Sequence, residues 1–241
     1  MNINMLSSGS HGNAYIVNND LLIECGLPIN QLDKLSGRTL HGIQTCFVSH
    51  AHQDHIRAIR DIARLGIDIY LSSGAKEQYE AETGMQLEGW QYHIANSGKM
   101  ITVQHYNILP FAVHHDHPFM PCKEPLGCQI TDLNNQERLV YITDTSHTEY
   151  TFRDVTHWMI ECNHSNKLID KSLEAGDVPI SLYNRIRHTH LSLEQCIAFF
   201  QANDLQKTQK IFLIHISGNH GCSDSFRKAI QGVTGLPVYV I

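Results

Sequence analysis

The segment that most restricts what this chain can become lies at residues 45–66. An apolar, β-branched run over residues 45–49 reads as a buried strand, and it passes directly into His50-Ala51-His52-Gln53-Asp54-His55. Beyond it, Ile56, Ile59, Ile62 and Ala63 fall on one helical face that closes at Gly66, a residue suited to a helix C-terminus. Strand, histidine-rich loop and helix in direct succession make an α/β unit with donor groups at the strand end. In an extended loop His50 and His52 point the same way, while Asp54 and His55 turn toward a second point. One hexapeptide can therefore offer ligands to two adjacent metal ions. Imidazole and carboxylate donors suit zinc, and manganese or iron fits the same mixture.

The rest of the chain repeats the alternation of strands and helices. Residues 3–6, 14–17 and 21–25 read as strands, with Asn18-Asn19-Asp20 as a hairpin turn. Pro28 and Gly37 frame a short helix, and Ser73 and Gly84 bracket a polar one. Residues 90–113 are strand-rich, and a loop with Pro118, Pro121 and Pro125 follows. Residues 126–131 and 138–143 read as a hairpin, and residues 156–162 as a strand carrying Glu161 near its end. Ser192 and Gln195 form a capping box before an apolar helix, residues 210–214 form a strand ending at His215, and a last helix and strand complete the chain. Without a repeat or low-complexity linker, residues 1–241 read as one domain: two mixed sheets packed face to face with helices outside.

Composition narrows the chemistry. Seventeen histidines nearly match the 18 lysines and arginines, an excess that points to metal binding. The formal charge of −6 gives no general attraction for a polyanion, so any nucleic-acid contact must be local. Seven cysteines without a C-x-x-C pair read as reduced thiols, and no apolar run is long enough to span a membrane. Together with an N-terminus that lacks signal-peptide character, this places the expected location in the cytosol. Cys128, Cys162, Cys196, Trp158 and the Phe199-Phe200 pair are assigned to packing.

The His-x-His-x-Asp-His motif resembles that of the metallo-β-lactamase superfamily, and the resemblance spans essentially the whole chain. It implies a four-layer αββα sandwich of two mixed β-sheets flanked by helices. In the family order, a third-motif histidine, an aspartate after a strand and a late strand-end histidine correspond to His115, Asp144 and His215. The resemblance implies two divalent metal ions: His50, His52 and His115 on one, Asp54, His55 and His215 on the other, with Asp144 bridging. His114 and His117 remain open alternatives to His115, since a slip of the local backbone would exchange which imidazole points inward. Glu24 stands where the superfamily often has an aspartate and is assigned to supporting the ligands.

Within the superfamily, the chain looks like the phosphodiesterase branch. Ser7-Ser8-Gly9-Ser10-His11-Gly12-Asn13, Glu161-Cys162-Asn163-His164 and His190-Leu191-Ser192 resemble motifs of the WalJ/YycJ-type hydrolases. Phage phosphodiesterases that destroy cyclic-nucleotide signals share the broader fold. The resemblance gives Asp54, His190 and Glu161 catalytic roles, with His190 protonating the leaving oxygen and Glu161 orienting its ring. Ser10, Asn13 and His164 are expected to contact substrate. A phosphodiester suits the small positive charge that two ions would leave at the site. The acidic balance favours a small cyclic nucleotide, with a nuclease acting on DNA or RNA as the alternative. Ester, thioester or lactam hydrolysis and simple nucleotide binding are further alternatives. A homodimer is the expectation by analogy.

Overall fold

The computed structural model describes residues 1–115 and 121–240. His117 and Pro118, which belong to the third-motif alternatives and the proline loop, lie outside the described residues. The strands form two mixed sheets, of six and seven strands, with helices flanking them. Contacts divide the chain into two compact units, residues 1–112 with 122–126, and residues 113–121 with 127–241.

In the first unit, β1 (Ile3–Ser7), β2 (Ala14–Val17) and β3 (Leu21–Ile23) run antiparallel. The β2–β3 turn has Asn18 and Asn19 at φ 48° and 69°, two successive left-handed residues of the kind a tight hairpin needs and asparagine tolerates. From β3 the sheet continues in parallel through β4 (Thr45–Phe47), β5 (Asp68–Leu71) and β6 (Tyr92–Ile94). Parallel neighbours need crossovers, which α1 (Ile29–Leu35), α2 (Gln53–Ile56), α3 (Ile59–Arg64) and α4 (Ser73–Thr83) supply. Their apolar faces close the core over Ile16, Leu22, Leu32, Val48, Ile59, Ile62 and Ile69, all buried. The unit also holds the hairpin β7 (Ile101–Val103) and β8 (Tyr106–Ala112).

The expected single helix after His55 is two. Ala58 donates its N–H to Cys25 O at 2.9 Å, and Cys25 N–H donates to His55 O at 2.8 Å. The chain leaving β3 thus takes hydrogen bonds that a continuous helix would have kept, and the helix breaks around Ala58. Periodicity of apolar residues does not register this, because both segments bury the same face.

In the second unit, β9 (Leu126–Asp132) and β10 (Arg138–Ile142) form the expected antiparallel hairpin. Parallel strands β11 (His157–Glu161), β12 (Lys210–Ile214) and β13 (Val238–Val240) follow beside β10. Between β11 and β12 come α5 (Asn166–Glu174), α6 (Ile180–Thr189) and α7 (Leu193–Ala202), and α8 (Ser223–Thr234) precedes β13. Both bonds of the Ser192–Gln195 capping box are formed at the start of α7. Helices α5 and α6 were not read from the sequence; each is polar along most of its length and is preceded by only a weak start signal, Ser165 or Pro179. Trp158 is fully buried, packed edge-on to Phe199 and Phe200, and its Nε1 donates to Thr208 Oγ1 at 3.0 Å. Cys25, Cys46, Cys162, Cys196 and Cys222 are free thiols.

At Gly26 the chain passes close against the backbone of the histidine loop. A Cβ there would lie 1.7 Å from Asp54 O and 2.7 Å from His55 N, so only glycine fits against the histidine loop. Gly26→Ala is expected to displace the Asp54–His55 turn and to cost at least about 2 kcal/mol of stability by overpacking against backbone. Chemical denaturation measures it; a variant as stable as the parent would mean that the loop yields freely.

Candidate functional site

The donors of the first unit are placed by the end of β4. His50 is buried, and its Nδ1 lies 2.8 Å from Ser49 Oγ, which leaves Nε2 to face His52 Nδ1 at 3.1 Å. Nitrogens brought this close repel unless a hydrogen bond or a cation lies between them, and two ligands of one zinc ion stand only slightly further apart, at about 3.3 Å. His52 is the N-cap of α2, and Asp54 and His55 occupy its first turn. His55 is fully buried; its Nδ1 is 3.5 Å from Glu24 Oε1 and its Nε2 is 3.5 Å from Asp54 Oδ2. Glu24, itself fully buried, accepts from the Ser49 N–H at 3.3 Å. Its carboxylate thus holds the start of the histidine loop through Ser49 and lies beside the ring of His55.

Asn13 clamps the same loop. Its N–H donates to Asp54 O at 2.7 Å, its Nδ2 donates to the same oxygen at 3.1 Å, and Nδ2 lies 3.1 Å from His55 Nε2. Its Oδ1 accepts from Gly9 N–H and Tyr15 Oη. Asn13 is 0% exposed, and His164 only 1%, so of the three residues expected to touch substrate Ser10 alone is exposed. Asn13 is used up in the loop clamp, and the backbone of His164 bridges to Ser192 while burial holds its imidazole down at about 4, hence neutral.

In the second unit four titratable groups converge: Asp144, Glu161, His190 and His215 offer ligand atoms within 4.8 Å of one another. Glu161 is fully buried and accepts from four donors. These are the N–H groups of Thr145 at 3.2 Å and Leu191 at 3.1 Å, His190 Nδ1 at 2.6 Å and His215 Nδ1 at 3.2 Å. His190 Nδ1 also lies 3.2 Å from Asp144 Oδ1. Burial alone would lower the His190 pKa, but the charges of Glu161 and Asp144 outweigh it and raise it to about 9. Burial alone would likewise raise Glu161, and its histidine partners reverse the direction and hold it below the usual carboxylate range. The ring of His190 stacks on that of His215, with centroids 5.3 Å apart.

His115 is buried, with its Nδ1 3.2 Å from the Thr189 carbonyl, so Nδ1–H donates to that oxygen. His114 instead points outward and stacks on His147. Burial thus separates these two neighbours, which sequence alone left open. The Thr189 carbonyl, Thr143 Oγ1 (2.9 Å from Asp144 Oδ2) and Asn163 Nδ2 (2.9 Å from His215 O) are supporting contacts that sequence reasoning missed. A backbone carbonyl leaves no residue-type signal, and Asn163 was visible only as a member of the Glu161–His164 motif.

The donor chemistry of both units fits divalent metal ions: imidazoles and carboxylates grouped within reach of one another, with the Nδ1 atoms of His50, His115, His190 and His215 each engaged by a neighbour. Comparison with known proteins agrees. A family model described as a beta-lactamase superfamily domain matches residues 19–216. The chain belongs to the β-lactamase superfamily. It is 26% identical over 227 residues to the exodeoxyribonuclease WalJ of Streptococcus pneumoniae serotype 2 (strain D39 / NCTC 7466), covering 88% of this chain and 80% of that protein. It is 25% identical over 246 residues to the exodeoxyribonuclease YycJ of Bacillus anthracis, covering 97% and 89%. The fold matches that of Zn(2+)-bound PqqB from Methylobacterium extorquens with a TM-score of 0.70 at 13% identity, covering 100% of this chain and 98% of that one. The chain has the metallo-β-lactamase fold and is a metal-dependent hydrolase, with relatives that support nuclease or phosphodiesterase activity. No described helix is long and apolar enough to cross a membrane.

Glu161→Gln separates the charge of this residue from its shape. In the metal-free protein the His190 pKa is expected to fall from about 9 back toward the ordinary histidine range of 6.5, as read by NMR titration. A raised folded-state pKa stabilises the protein fully below about 6.5, and this contribution is lost as pH rises through about 9. The variant should therefore lose much of that pH dependence. An unchanged His190 titration would contradict the assignment.

Proposed function

We propose that this protein is a cytosolic phosphodiesterase that hydrolyses DNA from its ends, with the two units acting as one hydrolase domain on two divalent ions. His50, His52 and His115 would hold one ion, Asp54, His55 and His215 the other, and Asp144 would be shared. Zinc is the first choice, from the donor set and from the zinc-bound structure of the same fold. Bound there, the ions supply Lewis acidity toward phosphoryl oxygens and lower the pKa of water.

The observation that carries the reaction type is the Glu161–His190 pair beside Asp144. Phosphodiester cleavage expels an alkoxide, which leaves far more readily when protonated. His190 donates its Nδ1–H to Glu161 at 2.6 Å, and because the neighbouring carboxylates favour the imidazolium it carries a second proton, at Nε2, to give. Leu191 N–H, bonded to the same glutamate, fixes the backbone just after His190 and so the position of the ring. Ser10, exposed between Gly9 and Gly12, offers a hydroxyl to a phosphate.

The preference for DNA rests on the two exodeoxyribonuclease relatives, which match 88% and 97% of this chain. They move a nucleic acid ahead of the small cyclic nucleotide suggested by composition. The net charge of −6 keeps the cyclic nucleotide as the second reading.

Metal-loaded protein is tested on DNA with free or blocked ends, RNA, cyclic mononucleotides and a lactam. Release of mononucleotides from free DNA ends is expected, and His190→Ala should lower turnover at least about 100-fold while metal content is retained. Cleavage of cyclic mononucleotides alone would replace the polymer reading with the second one. Turnover of the lactam alone would overturn phosphodiester chemistry altogether.

A further inference from the structure

Outside the residues used above, one cluster has the composition of a metal site. His114, His147 and Glu149 place ligand atoms within 4.8 Å of one another on the exposed surface of the second unit. The two imidazoles are stacked, with centroids 4.2 Å apart and ring planes 8° from parallel. Ser146 Oγ lies 3.0 Å from His147 Nδ1, which engages that nitrogen and leaves Nε2 as the donor.

The backbone under the cluster is already tied together. His114 N–H donates to Thr145 Oγ1 at 3.1 Å, and Ser146 N–H donates to His114 O at 2.9 Å. Thr145 Oγ1 in turn donates to the carbonyl of His147 at 2.6 Å. These bonds join two segments that each carry an inward residue of the proposed ligand set, His115 next to His114 and Asp144 next to Thr145. The cluster is the outward counterpart of that pair, on the same two segments.

We infer that His114, His147 and Glu149 form a third, surface site for a divalent transition metal of the zinc class, which locks residues 114–115 to residues 144–149. Two histidines and one glutamate are a set that zinc accepts with a water in the fourth position. Tetrahedral binding needs donors about 3.3 Å apart and nitrogen lone pairs that converge. The stacked rings must therefore splay and Glu149 must swing in, movements open to three exposed side chains.

The test is zinc binding to the whole metal-depleted chain, followed by equilibrium dialysis with metal analysis and by histidine side-chain NMR. The parent should bind one more equivalent of zinc than His147→Ala, with His114 and His147 resonances shifting as that equivalent binds. Glu149→Gln should weaken the equivalent at least tenfold. These readouts are independent of catalysis, so they stand or fall apart from the proposed function. Equal stoichiometry in the parent and His147→Ala would overturn the inference. So would His114 and His147 resonances unmoved by excess zinc, which would leave the pair as a simple ring stack.

Discussion

Two buried carboxylates, one in each unit, set the terms for everything around them. Glu24 and Glu161 are both 0% exposed. A carboxylate removed from water costs several kcal/mol unless its lone pairs are met by donors. In the first unit the N–H of Ser49 donates to Glu24, and the ring of His55 lies 3.5 Å from its carboxylate. In the second they are two backbone N–H groups and the rings of His190 and His215. The need to satisfy each glutamate is thus what orders the loops that carry the histidines. Removing the charge of Glu161 would take a hydrogen-bond partner from both His190 and His215.

Strained backbone delivers these residues to their places. Glu24, Asp144 and His215 have φ of 62°, 44° and 54°, and each follows closely on the end of a strand. A non-glycine residue in the left-handed region costs of order 1 kcal/mol and persists only where its surroundings hold it. Here the surroundings do so: Glu24 N–H bonds Phe47 O, Thr143 Oγ1 bonds the Asp144 carboxylate, and Asn163 Nδ2 bonds the carbonyl of His215. The left-handed turn is what swings a side chain off the end of its strand. Asn13 and Gly26 complete the arrangement in the first unit, one by bonding the Asp54 carbonyl and the other by leaving room for it.

Much of this was legible in the chain. Strand alternation, the Asn18–Asn19 turn and the Ser192–Gln195 capping box are local signals, and the structure shows each where its residue types place it. The hexapeptide at residues 50–55 is legible for the same reason, since its donors are contiguous. What was hidden depends on partners distant in sequence. The break at Ala58 is caused by Cys25, the inward turn of His115 is held by Thr189, and the burial of Asn13 by Asp54 and His55. Residue type reports what a side chain can do; which of several neighbouring histidines faces inward is decided by packing that no local pattern records.

The proposed ligand set, His50, His52, Asp54, His55, His115, Asp144 and His215, stands or falls on whether the protein binds two divalent ions as a pair. Electron paramagnetic resonance of the manganese-loaded protein tests it most directly, because ions about 3.5 to 4 Å apart couple magnetically. The account predicts the spectrum of a coupled manganese pair, lost in Asp144→Ala as the shared ligand is removed. Uncoupled six-line signals from isolated manganese ions at full loading would contradict it.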